Sequence, residues 1–378
     1  MPASRPQQLV QLQALRAYAA VIVALVHILH DLDQTTGTHY FYTTPFDLKS
    51  GVDLFFVLSG FIIVYVSAPF MGEVSYRPRF LFRRLTRIAP AYWLYTSLMA
   101  IIVLGLPQLA PNTTTSPIHM ISSYLFLPWP APDGALGPIL GVGWTLLYEM
   151  MFYLVFSLMI GLRLWRAIAA TGAVFLSLIA LRFSFGTSLP FYLDYWSNPI
   201  ILEFLAGAVI GGLFVSSNRR FSWPLGAGLI TLAFAWLVGV HQIDALKALP
   251  RVIALGVPSA AIVFAMTMAA ERLPMGLSQP RWLVRIGDSS YSLYLSHFFA
   301  IGAGVFILEK SGVLALLPAW AWITPLLGLC IAVGLLSYYL FEKPLMDAAR
   351  RVERSWLSPK PDRPQTSLAT RDQTNVRL

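Results

Sequence analysis

Ten stretches of this chain run for 15 to 21 residues with almost no charge, and that pattern restricts the fold before any motif is considered. Hydrocarbon offers no partner to a backbone N–H or C=O, so an apolar run at membrane depth must satisfy its own hydrogen bonds as a helix. A helix rising ~1.5 Å per residue needs ~20 residues to cross. The runs are 12–29, 52–66, 89–106, 144–162, 167–181, 200–215, 224–240, 252–270, 291–308 and 321–341. The expected fold class is therefore an all-α integral membrane protein with about ten transmembrane helices. Composition agrees: 57% of the residues are hydrophobic and 12% charged, where soluble domains carry about a quarter charged.

The apolar piece 118–127, bounded by prolines, is too short to span and is expected to lie at the interface or to re-enter. With ten spans and a cytoplasmic N-terminus, all of the 27 Lys and Arg residues fall on the inner side except Lys49, Arg182, Lys247, Arg251 and Lys310. That asymmetry is the positive-inside pattern. It places both termini in the cytoplasm and the segment 108–143, which has no Lys or Arg, outside. The net charge of +9 is thus explained by topology, and nucleic acid is not needed as a partner; the lipid bilayer is.

The first apolar run lacks the short core and small-residue cleavage site of a signal peptide and is expected to be retained. Cys330 is the single cysteine, so no intrachain disulfide forms. Residues 1–344 read as one transmembrane domain and 345–378 as a cytoplasmic tail, polar and irregular from Arg350 onward. No internal repeat is visible, which disfavours inverted-repeat transporters.

A charge at the centre of a membrane helix costs roughly 2.5–3.5 kcal/mol on the insertion scale, so ionisable residues inside the runs are candidates for function. Arg16 and His27 are eleven residues apart, which at 100° per residue puts them on nearly one helix face and separates them by ~16 Å. The plainer alternative is a snorkelling arginine and a packing histidine. Asp53, Glu149 and Glu203 each stand near the start of a run, toward the outer side with His27, and Asp53 or Glu203 alone could equally serve the positive end of a helix dipole. His297, in YSLYLSH, falls nearer the cytoplasmic side and reads most simply as a hydrogen-bonding packing residue. Ser59, in GVDLFFVLSGF, either lines a polar path or bonds its own backbone, and the second is the expectation. Arg83, Arg84 and Arg87 in the loop RPRFLFRRLTRIAPAYW satisfy the topology signal, and their guanidinium groups also suit a polyphosphate.

Taken together and in order, these motifs resemble the acyltransferase 3 family of bacterial membrane O-acyltransferases, which modify exopolysaccharide, O-antigen and related glycans. The matching residues are Arg16 and His27 with ten between them, GVDLFFVLSGF, RRLTRIAPAYW, GWTLLYEMMFY, SYSLYLSH and the closing FEKP, spanning the chain from near Leu12 to Pro344. The resemblance implies an acyl-CoA donor, usually acetyl-CoA, entering from the cytoplasm, and a glycan acceptor at the outer side of a bacterial inner membrane. On that basis Arg16, His27 and Asp53 are the expected catalytic residues, with Asp53 facing a polar cavity where it orients His27 or binds sugar hydroxyls. Arg83, Arg84, Arg87 and Arg16 are expected to hold the donor, Trp144, Tyr148, Glu149 and His297 the acceptor, and no metal is expected.

The near-neutral pKa of histidine suits it to deprotonating a sugar hydroxyl as that oxygen attacks a thioester. Two routes stay open, direct transfer with His27 as base and a two-step route through acyl-His27. A transporter or flippase using buried His, Asp and Glu as a proton relay is the competing class, and a membrane sensor or scaffold a third.

Overall fold

The computed structural model of the chain describes residues 9–110, 113–217, 221–269 and 280–356. In chain order the helices are α1 Val10–Thr36, α2 Ser50–Ser67, α3 Arg77–Gly105, α4 Pro117–Tyr124, α5 Trp144–Met159, α6 Leu164–Phe185, α7 Phe191–Trp196 and α8 Ile201–Ser216. There follow α9 Trp223–Gln242, α10 Asp244–Lys247, α11 Val257–Met268, α12 Arg281–Asp288, α13 Ser290–Lys310, α14 Ile323–Ser337 and α15 Lys343–Trp356. Among the described residues there is no β-strand, only two isolated bridges.

Nine helical stretches among the described residues are long and apolar enough to cross a membrane. The tenth expected span, 252–270, is present as the shorter apolar helix Val252–Met268, which opens with a π turn at Val252–Gly256 before α11. The piece at 118–127 is α4, eight residues started by Pro117 at its first turn with the Ser116 side chain accepting from the His119 N–H.

Two sequence expectations need correction. The basic segment read as a loop is the first three turns of α3, because Pro78 is compatible with a helical first turn and nothing interrupts the pattern before Pro90. Arg79, Arg83 and Arg87 therefore recur every four residues along one face. The tail expected to be irregular from Arg350 is helical through Trp356; Met346, Ala349 and Glu353 give α15 an inward face that charge density had hidden. Residues 357–378, where the same expectation also applied, lie outside the described residues.

In α1, α2 and α13, 61% of the span is buried within the protein, against 28% in α6 and 22% in α9. The first three helices form the centre and the other two turn most of their apolar surface outward, as lipid-facing helices do. At the centre α2 and α8 cross backbone to backbone. A Cβ on Gly60 would lie 2.0 Å from the Phe204 carbonyl oxygen, and one on Gly207 would lie 1.9 Å from that of Val57. Small residues permit this approach, which helices in lipid use because van der Waals packing rather than hydrophobicity drives their association. Phe204 then stacks on Phe56 and Phe152 at centroid distances of 4.5 and 4.9 Å. This crossing fixes the depth of Asp53 and Ser59 on α2 against Glu203 on α8.

Candidate active site

Arginines from three helices, α1, α3 and α15, converge on one cavity of about 1070 Å³, just above the ~300–1,000 Å³ usual for ligand sites. α1 contributes Arg16, whose Nη1 donates to Gln13 Oε1 at 3.3 Å, and α3 contributes Arg79, Arg83, Arg84 and Arg87. The Arg84 guanidinium lies 5.6 Å from the Phe80 ring centre and 5.9 Å from that of Tyr153, and its buried Nε has no hydrogen-bond partner among the described residues. A buried cationic donor without a partner is suited to an anion that is not part of the chain.

Depth in the cavity follows from contacts between α3 and α5, which run in opposite directions: Arg84 meets Tyr153, while Tyr92 packs at Gly143. Arg79 and Arg83 thus lie at the end shared with α15, and Thr145 lies at the other. Glu149 sits between them, accepting from the Ser59 hydroxyl and the Tyr153 phenol. Both Glu149 and Ser59 line the cavity. The expectation that Ser59 bonds its own backbone is corrected, and Glu149, grouped by sequence with an outer acceptor site, shares its space with the arginines.

At the inner end Tyr294 closes the cavity. Its phenol donates to the Val142 carbonyl at 2.6 Å, so its oxygen accepts from Thr145 Oγ1 at 2.8 Å. The Tyr294 ring lies 6.0 Å from that of His297, and His297 in turn meets His27, with ring centres 4.8 Å apart. Neither histidine lines the cavity itself.

Hydrogen bonding fixes the tautomers of this pair. His27 Nδ1 is 2.9 Å from the Val23 carbonyl and His297 Nδ1 is 3.3 Å from that of Leu293. A carbonyl only accepts, so both Nδ1 atoms carry hydrogen. His297 Nε2 is then a bare acceptor, 3.3 Å from His27 Nδ1, and His27 Nε2 is left as a lone pair with no partner among the described residues. That is the form a general base requires. His297, read from the sequence as a packing residue nearer the cytoplasm, lies level with His27 and touches it.

Asp53 has a different partner from the expected one. Its fully buried carboxylate takes two hydrogen bonds from Arg251, Nε to Oδ1 at 3.0 Å and Nη2 to Oδ2 at 2.9 Å, and no bond joins it to His27. Arg251 lies 5.7 Å from the centre of the Trp144 ring. Tyr148, one turn along α5, stacks on Tyr195 at 4.7 Å and donates to its carbonyl at 2.9 Å. Glu203 is buried against Gly256 nearby. Trp144 and Tyr148 therefore belong to a cluster apart from Glu149, although all three come from one motif.

The residues that sequence reasoning missed are Arg251, Glu353, Thr145 and Tyr294. A signal existed for Arg251, as one of five cations on the wrong side of the charge pattern. Each of those five has a local partner: Arg251 on Asp53, Arg182 on Asp194, Lys247 on Asp244, Lys49 over Phe41 and Lys310 over Phe306.

A family model described as an acyltransferase domain matches residues 9–341. The exopolysaccharide production protein ExoZ of Rhizobium meliloti (strain 1021) is 34% identical over 317 residues, 80% of this chain and 92% of that protein. Acyltransferase MdmB of Streptomyces mycarofaciens is 26% identical over 401 residues, 97% of this chain and 99% of that one. Nodulation protein 10 of Rhizobium leguminosarum bv. viciae is 26% identical over 359 residues, 88% and 92% of the two chains. No solved structure matches the chain.

Proposed function

The chain belongs to the acyltransferase 3 family, and from that premise we propose that it moves an acetyl group from acetyl-CoA to a hydroxyl of an extracytoplasmic glycan, exopolysaccharide or its lipid-linked precursor, in the inner membrane of a bacterium. The observation that carries this reading is the convergence of Arg16, Arg83, Arg84 and Arg87 on one cavity that ends at Thr145 and Tyr294, with the His27–His297 pair behind them. Membership of an acyltransferase family sets aside the transport and scaffold readings.

Guanidinium groups make paired, charge-assisted bonds to phosphate oxygens, so the nucleotide end of the donor takes the α3 end of the cavity. The thioester arm, uncharged, reaches past Ser59 and Glu149 toward Tyr294. With the Tyr294 ring turned aside the thioester reaches the histidine pair, and the acceptor oxygen attacks its carbonyl carbon while His27 Nε2 takes the proton. Collapse of the tetrahedral adduct breaks the carbon–sulfur bond, and the imidazolium returns the proton to the departing thiolate. His297 acts through His27, sharing with the Val23 carbonyl the single Nδ1–H and so helping to keep Nε2 free.

The test is single-turnover transfer from labelled acetyl-CoA in vesicles carrying the purified protein and acceptor. His27→Ala is expected to lower the rate by ~10²–10⁴ with donor affinity retained. A folded His27→Ala protein working at the native rate would end this mechanism.

A further inference from the structure

The α3 end of the cavity is covered by α15, which begins at Lys343, beyond the residues the family model matches. Met346, Ala349, Arg350, Glu353 and Arg354 of this helix line the cavity. Their spacing of three, one, three and one residues is that of a single helical face. The face is amphipathic in an unusual sense, since its far turn is charged and still turned inward.

Glu353 is the residue that explains this. Only 6% of its side chain is exposed, and it is bonded to two guanidinium groups of α3: Arg79 Nε at 2.5 Å, with Arg83 Nη2 at 2.6 Å and Arg83 Nε at 2.9 Å from both oxygens. A carboxylate in that position takes the paired N–H edges that a phosphate oxygen would otherwise occupy. Arg350 and Arg354 stand beside it, both exposed. Arg350 also bonds Asp347 at 3.2 Å, and Arg354 has no side-chain partner among the described residues. Without an anion, four arginines around one opening would repel one another, and Glu353 offsets that repulsion.

We propose that α15 is part of the donor site: Arg350 and Arg354 bind phosphate groups of the nucleotide thioester, and Glu353 is a built-in anion that those phosphates displace from Arg79 and Arg83. The proposal rests on the donor assignment made above. It adds three binding residues from a segment outside the family match, and it makes donor entry an exchange of one anion for another. The opening is closed by an internal ion pair when empty and by the donor when filled.

The experiment is calorimetric titration of the full chain in detergent with coenzyme A, at low and high salt, for the native protein, Glu353→Gln and the double variant Arg350→Gln, Arg354→Gln. Removal of the competing carboxylate is expected to tighten binding about two- to fivefold, the range of a partly exposed ion pair. Loss of both α15 arginines is expected to weaken binding about tenfold or more and to flatten its salt dependence. If Glu353 is only a strut that seats α15, a folded Glu353→Gln protein binds coenzyme A equally or less well, and the proposal is overturned. Should that variant not fold, the double arginine variant decides alone, because both positions are exposed: unchanged affinity overturns the proposal. A native protein that binds no coenzyme A removes the donor assignment and the proposal together, whereas normal native binding with unmoved variants removes the proposal only.

Discussion

His297 Nε2 faces His27 Nδ1 at 3.3 Å, a contact between α1 and α13 in which the tautomers set by the Val23 and Leu293 carbonyls point a lone pair at an N–H. The relationship is directional. His297 must present a lone pair, and it does so only while neutral with hydrogen on Nδ1. His297→Gln can still accept through its carbonyl oxygen, whereas His297→Phe cannot. The expected result is a small loss of turnover for Gln and about a tenfold or greater loss for Phe, with coenzyme A affinity unchanged in both. Protonating His297 sets donor against donor, and protonating His27 fills the Nε2 lone pair that takes the acceptor's proton, so the native rate should fall on the acid side of its pH profile. Equal rates for Gln and Phe would show that the contact is packing alone.

Asp53 gives a prediction of a different kind. It is fully buried while Arg251 is about one-third exposed, so Arg251→Gln leaves a carboxylate without its partner inside the protein. Breaking a buried pair from one side typically costs about 3 kcal/mol or more. The double variant Asp53→Asn, Arg251→Gln removes both charges and is expected to regain most of that stability. Thermal melting of the three proteins in detergent checks this. A single Arg251→Gln variant as stable as the native protein would mean that Asp53 is served by other groups.

This pair also marks how far the sequence could be read. Run length and charge placement were enough for the helices, because in a membrane each span must be apolar and self-bonded whatever packs beside it. They were also enough to single out Arg16, His27, Asp53 and the α3 arginines, since an ionisable residue at depth stands out against apolar neighbours. Partnerships were not legible. Asp53 and Arg251 are 198 residues apart and His27 and His297 are 270 apart, and no periodicity spans such intervals. Glu149 and Trp144 share one motif yet face different clusters, because five residues along a helix turn the side chain by ~140°. Glu353 was hidden for a further reason: a charged stretch near a terminus reads as solvated until the arginines that meet it are in place.

Orientation yields a third prediction. The segment from Gln108 to Gly143 contains no Lys or Arg, and on the positive-inside rule it crosses to the outer face. Cys330 is the single native thiol and is buried, so an added cysteine reports with little background. Ser116→Cys, at the cap of α4, is expected to react with an impermeant maleimide on intact cells. Reaction only after permeabilisation would invert the topology and place the arginine-lined cavity on the side away from a cytoplasmic donor.

The α3 arginines should not behave alike. Arg83 exchanges Glu353 for phosphate when the donor enters, so Arg83→Lys weakens the bond given up as well as the bond gained and is expected to alter coenzyme A affinity only a few-fold. Arg84 instead lies 5.6 Å from the Phe80 ring centre and 5.9 Å from that of Tyr153, with Nε unpartnered among the described residues. A lysine there loses the fixed fork of donors while keeping the charge. Arg84→Lys is therefore expected to weaken coenzyme A binding by about tenfold, the scale of one charge-assisted hydrogen bond, and Arg84→Gln to do little worse. Titration of the two lysine variants side by side separates geometry from charge. If neither loses affinity, the cavity responds to net charge alone and the specific seat assigned to Arg84 is wrong.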